Sequence, residues 1–486
     1  MPHPIAQFAI GWESNIQTNI STIRHHRCAR DTTLPIMNKR DFLKTSGILL
    51  SGATLSRLVP AEQSQTAGPR TNWSGNLTYS TNRLFTPASA EEVQEVVKGC
   101  DKLRALGARH SFNAIADSNA NQISLEHLDE MTIDDKAHTV TVGAGVRYGK
   151  LAPYLDSHGY ALHNLASLPH ITVVGACSTG THGSGIHNGN LSTAVSALEF
   201  ATADGNLATL SRAKDSDTFN GAVVALGALG IVTRITLNLL PTFQMRQIVY
   251  EDLSFDQLQH NLDAIFGSGY SVSLFTDWQN HRATQVWIKQ RIESNQSSQL
   301  PPEFYGAKLA TKKLHPIAGH DATPCTEQQG IPGPWYERLP HFRMNFTPSS
   351  GAELQTEYFV PREHGHEAIL AVEKLRDRIT PHLFVTEFRT VAADNLWMSM
   401  AHQRDSMTIH FTWKPEWPAV KQILPLIEKQ LAPFNPRPHW AKLFTIPPAQ
   451  LEAKYEKLPE FKSLLKQHDP TGKFRNAFLE TNLYTA

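Results

Sequence analysis

The chain has 486 residues, 41% of them hydrophobic, and its 45 Lys and Arg balance its 45 Asp and Glu. That length predicts two or three domains with sizeable cores, and the charge balance gives no electrostatic case for a nucleic acid or an acidic membrane surface as partner. A small uncharged ligand suits such a chain, and the four cysteines, Cys28, Cys100, Cys177 and Cys325, have neither C-x-x-C spacing nor the density of a disulfide framework, although one bridge stays open.

Residues 1–70 read as a leader and disordered segment. Met37 looks like an internal start for M-N-K-R-D-F-L-K-T-S-G-I-L-L-S-G, which would leave residues 1–36 untranslated. Lys39-Arg40-Asp41-Phe42-Leu43-Lys44, followed by a weakly apolar stretch from Thr45 to Leu55, resembles a twin-arginine export signal with Lys39 in place of the first arginine. The apolar run is too short for a permanent membrane anchor, and Val59-Pro60-Ala61 offers a cleavage site. The expected location is therefore periplasmic or secreted; the alternative is a cytoplasmic protein with a disordered tail.

Ser89-Ala90-Glu91-Glu92 is a capping box, and Val93, Val96 and Val97 share one face of the helix that it starts. An apolar run then predicts a strand at Leu103, which hands over to a loop in L-R-A-L-G-A-R-H-S, where His110 and Ser111 stand. A strand from His138 to Val142 leads to Gly143, and a helix beginning near Tyr148 carries Leu151 and Leu155 at i,i+4. The Gly-rich stretch Ser167 to Asn190 presents backbone N–H groups suited to a pyrophosphate without a lysine. Val195 to Leu210 reads as a hairpin turning at Asp204-Gly205, and Ile231, Thr233, Ile235 and Leu237 alternate as a strand.

From about Pro241 the chain is richer in Trp, Phe, Arg and His, with longer polar loops such as Ser294 to Pro302, so a second domain begins near there. Strands are expected at Ser271 to Asp277, Glu353 to Val360, Leu383 to Thr390 and Thr408 to Trp413, with helices at Glu363 to Ile379 and Ala419 to Leu431. The fold class is α+β.

Several motifs argue mainly by what they lack. Gly143-Ala144-Gly145-Val146-Arg147-Tyr148-Gly149 is a near miss to the dinucleotide fingerprint, with Tyr148 at the third glycine and no acidic residue placed to hold a ribose; a tight strand-to-helix turn is the plainer reading. His364-Gly365-His366 sits in helical spacing with no third ligand, so no metal is expected. There is no H-E-x-x-H, and Gly183-Ser184-Gly185 lacks the G-x-S-x-G frame of a nucleophile elbow. Glu387 with Arg389, and His410 with Thr412, project to one face of their strands. His439 and Lys442 add a base and a cation, one turn apart if locally helical. Taken alone, these polar residues suggest a surface salt bridge with unrelated neighbours, and His110 suggests an ordinary hydrogen-bonded histidine.

The G-x-x-H-S segment at Gly107–Ser111 and the Gly-rich stretch together resemble the FAD-binding half of the vanillyl-alcohol-oxidase type flavoproteins, and most closely the alditol (xylitol) oxidases. The similarity runs from about Thr71 to Leu483 and includes S-V-S-L-F-T-D-W and F-T-P-S-S-G-A-E-L-Q. It implies a two-part FAD-binding domain, 71–245 and 444–486, around a sheet-and-helix substrate or cap domain, 246–443. The closing element Asp469-Pro470-Thr471-Gly472-Lys473-Phe474-Arg475-Asn476 then returns the C-terminus to the FAD domain.

The resemblance also assigns residues. FAD would be held by Ala105, Leu106, Gly107, Ala108, Arg109, His110, Ser111, Ser167, Thr172, Gly175, Ala176, Cys177, Ser178 and Val232, with a covalent bond from His110 to the 8α carbon of the flavin. Arg109 departs from the glycine of several members, which matters if the loop needs positive φ there. Substrate would be held by Ser167, Glu387, Arg389, His410, Thr412, His439 and Lys442, with Lys442, Arg389 and Glu387 catalytic and Ala166 near the flavin face. The implied reaction is oxidation of a terminal primary hydroxyl of a polyol to the aldose, with dioxygen reduced to hydrogen peroxide. A sugar-1,4-lactone oxidase or dehydrogenase is the enzymatic alternative; a flavin-binding electron carrier is the non-enzymatic one.

Overall fold

The computed structural model describes residues 69–292, 300–346 and 352–484. The export-signal motif, Cys28 and most of the Ser294 to Pro302 loop lie outside the described residues. The helix Ala90–Gly99 starts where the sequence places it: Ser89 Oγ accepts from the Glu92 N–H at 3.3 Å, and Val93, Val96 and Val97 are buried. The Glu92 carboxylate reaches back to the Ala88 N–H at 2.8 Å, one residue earlier than the reciprocal bond of a capping box.

Two sheets, together with a two-stranded pairing of Tyr160–Ala161 with Leu240–Pro241, occupy the first half of the described chain. Leu84–Phe85, Gln122–Ser124 and Arg104–Leu106 form a small parallel sheet. An antiparallel sheet runs in the order Met131–Asp134, Thr139–Gly143, Ile231–Asn238, Val195–Ala201, Leu207–Ser211. The expected hairpin at Asp204-Gly205 is the last pair, with Gly205 at φ 82° in the turn. The Gly143-to-Tyr148 segment is a turn into the helix Tyr148–Ser157, and a Cβ on Gly145 would stand 2.4 Å from the Leu125 carbonyl oxygen.

The second half is built on one sheet of ten strands. Its central order is Gln244–Ser254, Arg282–Arg291, Ser271–Thr276, Leu383–Val391, Ser406–Trp413, Leu354–Pro361. Ser406–Trp413 is buried at every position, and its sequence explains how. Met407, Ile409, Phe411 and Trp413 point to one face and Ser406, Thr408, His410 and Thr412 to the other, as period-two geometry requires. The apolar face packs into the main core with residues from the helices Gly365–Glu373 and Trp417–Leu431. The polar face is shut off from bulk solvent, so its groups depend on partners within the protein, on cavity water or on a ligand.

The C-terminal segment packs on the first sheet. Asp469 accepts from the N–H groups of Lys473 and Phe474 at 2.7 and 2.8 Å, and the fully buried Phe474 joins Val93, Val97, Ile123 and Ile231. Asn476 donates to the carbonyls of Ala114, Ile115 and Asp117. Cys100, Cys177 and Cys325 are free and buried. His364 ends a short 3₁₀ turn, Arg362–His364, and His366 lies in the helix that follows, so the two do not share a strand face.

Candidate active site

Three neighbouring strands bring the polar wall together. Register pairs Glu357 with His410 and His410 with Glu387, and one step along pairs Gln355 with Thr412. Arg389 closes the wall: its Nη2 donates to Glu357 Oε1 at 2.7 Å, its Nε lies 3.6 Å from Glu387 Oε2, and its Nη1 reaches Ser167 Oγ at 3.4 Å. The Nε–H has no hydrogen-bond acceptor among the described residues. His341 Nε2 lies 2.7 Å from the other Glu387 oxygen. Lys442 donates to Gln355 Oε1, and its ammonium stands 4.7 Å over the Phe112 ring. His410 Nε2 is 3.2 Å from that same Gln355 oxygen.

These charges sit in a dry place, and their pKa values follow from that. Burial alone would raise Glu387 and Glu357, but their neighbours together outweigh it, Arg389 foremost, with His341 beside Glu387 and His182 beside Glu357, and hold both carboxyls well below the usual carboxylate range. Burial lowers Lys442 to about 8 and His410 to about 3, and takes His439 well below the usual histidine value, so the two imidazoles are neutral.

All seven residues expected to hold substrate line one cavity of about 130 Å³, with Ala166 in its wall. His439 and Lys442 are placed by a turn rather than the helix the sequence suggested: the Lys442 N–H donates to the His439 carbonyl at 3.0 Å, and no helix spans them. The sequence reading missed Gln355, Glu357, His182 and His341. Gln355 and Glu357 carried a signal, since polar residues alternate through a strand that was correctly located; His182 and His341 stand in irregular segments with no periodicity to mark them. His182, Glu357 and His439 have ligand atoms within 4.8 Å of one another. Glu357 Oε1 is already held by Arg389, however, and a guanidinium at that distance opposes a second cation.

A second cavity, of about 370 Å³, takes in the backbone from Ala105 to Ser111 together with Thr172, Gly175, Ala176, Ser178 and Val232. Two of the expected cofactor positions lie outside the lining of this cavity. Cys177 turns away on its short helix, 1% exposed with its thiol 3.6 Å from the Tyr148 hydroxyl, and Ser167 lines the polar cavity instead. Arg104 was overlooked; its guanidinium donates to the carbonyls of Ile115, Leu226, Gly227 and Phe474 and so fixes the floor. Arg109 adopts φ 65° with an exposed side chain, so the positive φ is met here by a non-glycine residue pointing outward.

His110, Ile171, Thr181 and Ala441 line both cavities, so the two are contiguous. The His110 ring stacks on Trp73 with centroids 5.0 Å apart, and burial, with Lys442 nearby, lowers it to about 3.

Residues 81–211 match the family described as an FAD binding domain, and residues 351–482 match D-arabinono-1,4-lactone oxidase. An alditol oxidase from Streptomyces sp. is 47% identical over 414 residues, 84% of this chain and 97% of that protein. The chain belongs to the alditol oxidase family. An L-gulonolactone oxidase from Mus musculus is 27% identical over 85% of the chain and 98% of its own length. A cholesterol oxidase from B. sterolicum shares the fold, with TM-score 0.68 at 14% identity over 85% of this chain and 96% of that one.

As a family member the chain is an FAD-linked oxidoreductase of the vanillyl-alcohol-oxidase type, and the larger cavity fits that cofactor. The backbone N–H groups from Gly107 to Ser111 have no backbone acceptor among the described residues, which suits an anionic diphosphate. Cβ atoms on Gly107 and Gly175 would each crowd Thr172 Oγ1, at 2.8 and 2.7 Å, and one on Gly145 would meet main chain at Leu125 and Glu126. Gly145→Val is therefore expected to give folded protein with little FAD, read as the ratio of flavin to protein absorbance; a normal ratio would mean that this turn does not shape the cofactor cavity.

Proposed function

We propose that the protein oxidises the terminal primary hydroxyl of alditols such as xylitol or sorbitol to the aldose, with dioxygen as acceptor and hydrogen peroxide as the second product. The observation that carries this reading is the buried wall of Glu387, Arg389, His410, Thr412 and Lys442 beside His110, in a family whose Streptomyces member is named an alditol oxidase. FAD, when bound, supplies the hydride acceptor. A polyol offers hydroxyls on successive carbons, and a site that holds it needs several fixed donors and acceptors out of water. Glu387 and Gln355 accept, while Ser167, Thr412, Arg389 and Lys442 donate. Arg389 and Lys442 stabilise the substrate oxygen as it gains negative character, and Glu357 and Glu387 keep Arg389 paired in a buried site.

In this proposal His110 forms the covalent bond to the flavin's 8α carbon, for which a neutral imidazole with a free lone pair is needed; the low pKa at His110 supports it. Burial of the polar wall weighs against an electron carrier without substrate: Glu387 is 4% exposed and Arg389 6%. Export by the twin-arginine route is proposed from Lys39 to Lys44 alone. Among the described residues no helix is long and apolar enough to cross a membrane. Sequencing the N-terminus of protein from the cell envelope fraction checks this: a start beyond Ala61 supports export, and an intact leader on wholly cytoplasmic protein refutes it.

Anaerobic mixing with xylitol should bleach the flavin band, and air should restore it with release of peroxide; bleaching by gulonolactone but by no polyol would favour the lactone reading. Lys442→Met and Arg389→Ala should keep flavin and lose turnover by about two powers of ten or more, the scale of removing a transition-state donor. Flavin should stay in the acid-precipitated pellet of the wild type and leave that of His110→Ala. Because Lys442 acts as a cation and burial lowers it to about 8, the rate of flavin reduction should fall as pH rises through that value, with no such fall in Lys442→Met.

A further inference from the structure

Lys289 is 1% exposed on the strand Arg282–Arg291 and outside the wall of the polar cavity, yet among the described residues it makes no hydrogen bond to a carboxylate. An ammonium has three N–H donors and no lone pair. Here the three reach the carbonyl of Leu339, the carbonyl of Pro340 at 3.2 Å and His341 Nδ1 at 3.0 Å. As an ammonium the lysine only donates, so while Lys289 is protonated His341 Nδ1 must accept. The proton of the neutral ring then sits on Nε2, which faces Glu387 Oε1 at 2.7 Å. The opposite tautomer would set N–H against N–H at one end of the ring and a lone pair against a carboxylate at the other.

We infer that Lys289 and His341 are positioning residues: Lys289 fixes the His341 ring in its Nε2–H form, and that N–H holds the Glu387 carboxylate charged and aimed at the polyol. The inference rests on the reading of Glu387 as a polyol-binding group. The charged and titratable neighbours agree with it. Burial, and then Lys289, lower His341 to about 4, so the ring is neutral where the enzyme works. Burial lowers Lys289 to about 7 against the pull of Glu387, with Arg389 and Cys325 also near it. Arg389 and His410 face Glu387 from its other sides. The rings of Phe275 and Trp287 pack edge-on against His341 at 5.5 and 5.2 Å and exclude water from the pair. Knitting the 339–341 turn to the sheet would need no imidazole, and an ammonium buried with no carboxylate bonded to it among the described residues costs stability.

Three variants test this. Gln carries an N–H₂ near the Nε2 position and an acceptor oxygen for Lys289, so His341→Gln should recover most of what His341→Leu loses. His341→Leu and Lys289→Met should raise the KM for xylitol by about tenfold or more, the scale of one hydrogen bond to a charged group, with a smaller change in kcat and with flavin content unchanged. A wild-type KM in both, or His341→Gln as impaired as His341→Leu, would overturn the inference. The tautomer is read without substrate, by ¹⁵N NMR of histidine-labelled enzyme at pH 6, where Lys289 is an ammonium. A neutral Nε2–H signal lost in His341→Gln and altered in Lys289→Met is expected. An imidazolium or an Nδ1–H form there would sink the tautomer lock even if the polyol reading stands, whereas no reduction by any polyol, with the tautomer as expected, would point to failure of the substrate reading instead.

Discussion

A single buried guanidinium organises the active site. Arg389 lies between Glu357 and Glu387, 2.7 and 3.6 Å away, with all three side chains almost wholly out of water. Coulomb attraction at such distances is strong where the effective dielectric is low, but so is the penalty of stripping water from each ion. A cluster of this kind contributes little net stability compared with apolar residues of the same volume. Removing one member, on the other hand, leaves an uncompensated buried charge, typically costing about 3–5 kcal/mol. The arrangement makes sense as a site that keeps charges dry and oriented before substrate arrives, so that no solvent reorganisation is required when charge develops on the substrate oxygen.

The sheet makes that possible through its alternation. In Ser406–Trp413 one face is Met, Ile, Phe and Trp and the other Ser, Thr, His and Thr, yet both faces are buried. The apolar face supplies the packing, with Phe411 stacked on Trp413 at 4.9 Å. The neighbouring strands add Glu357 and Glu387 in register with His410, so the carboxylates and the imidazole are spaced by the sheet's hydrogen-bonding geometry rather than by flexible loops. The cofactor cavity is built differently, from turns whose backbone donors are left free and whose glycines allow close approach. His110 belongs to both cavities, and the residues that follow it are tied to the turn carrying Lys442: Phe112 N–H donates to the Ala441 carbonyl, and Asn113 bridges the carbonyls of Trp440 and Lys442.

Much of the secondary structure was legible because burial and periodicity coincide. The capping box at Ser89, the helix carrying Leu151 and Leu155, the hairpin at Asp204-Gly205 and the four strands expected in the second half all stand within a residue or two of their expected places, whereas the long strands Gln244–Ser254 and Arg282–Arg291 of the same ten-stranded sheet were not expected. The cofactor loop was legible through its glycines and through resemblance. The Cys177 side chain is buried in the core because the six-residue helix Val173–Ser178 sends its residues to different faces, something that a list of consecutive residues cannot express. His439 and Lys442 would stand one turn apart if locally helical; a turn, not a helix, brings them together.

By itself the sequence determined which residues could carry charge, which strands would have a polar face, and where the backbone must be glycine, since these follow from side-chain chemistry and a period of two. It also pointed to the family through motifs extending along most of the chain. Only the tertiary structure decided that the polar faces of three strands turn inward around Arg389, that Glu357 and His341 join Glu387 there, and that Lys289 stands behind them. Those contacts join residues such as Lys289, His341 and Glu387, which lie 46 to 98 positions apart. Local pattern fixes the direction in which a side chain leaves its strand, but strand order and register fix what it meets.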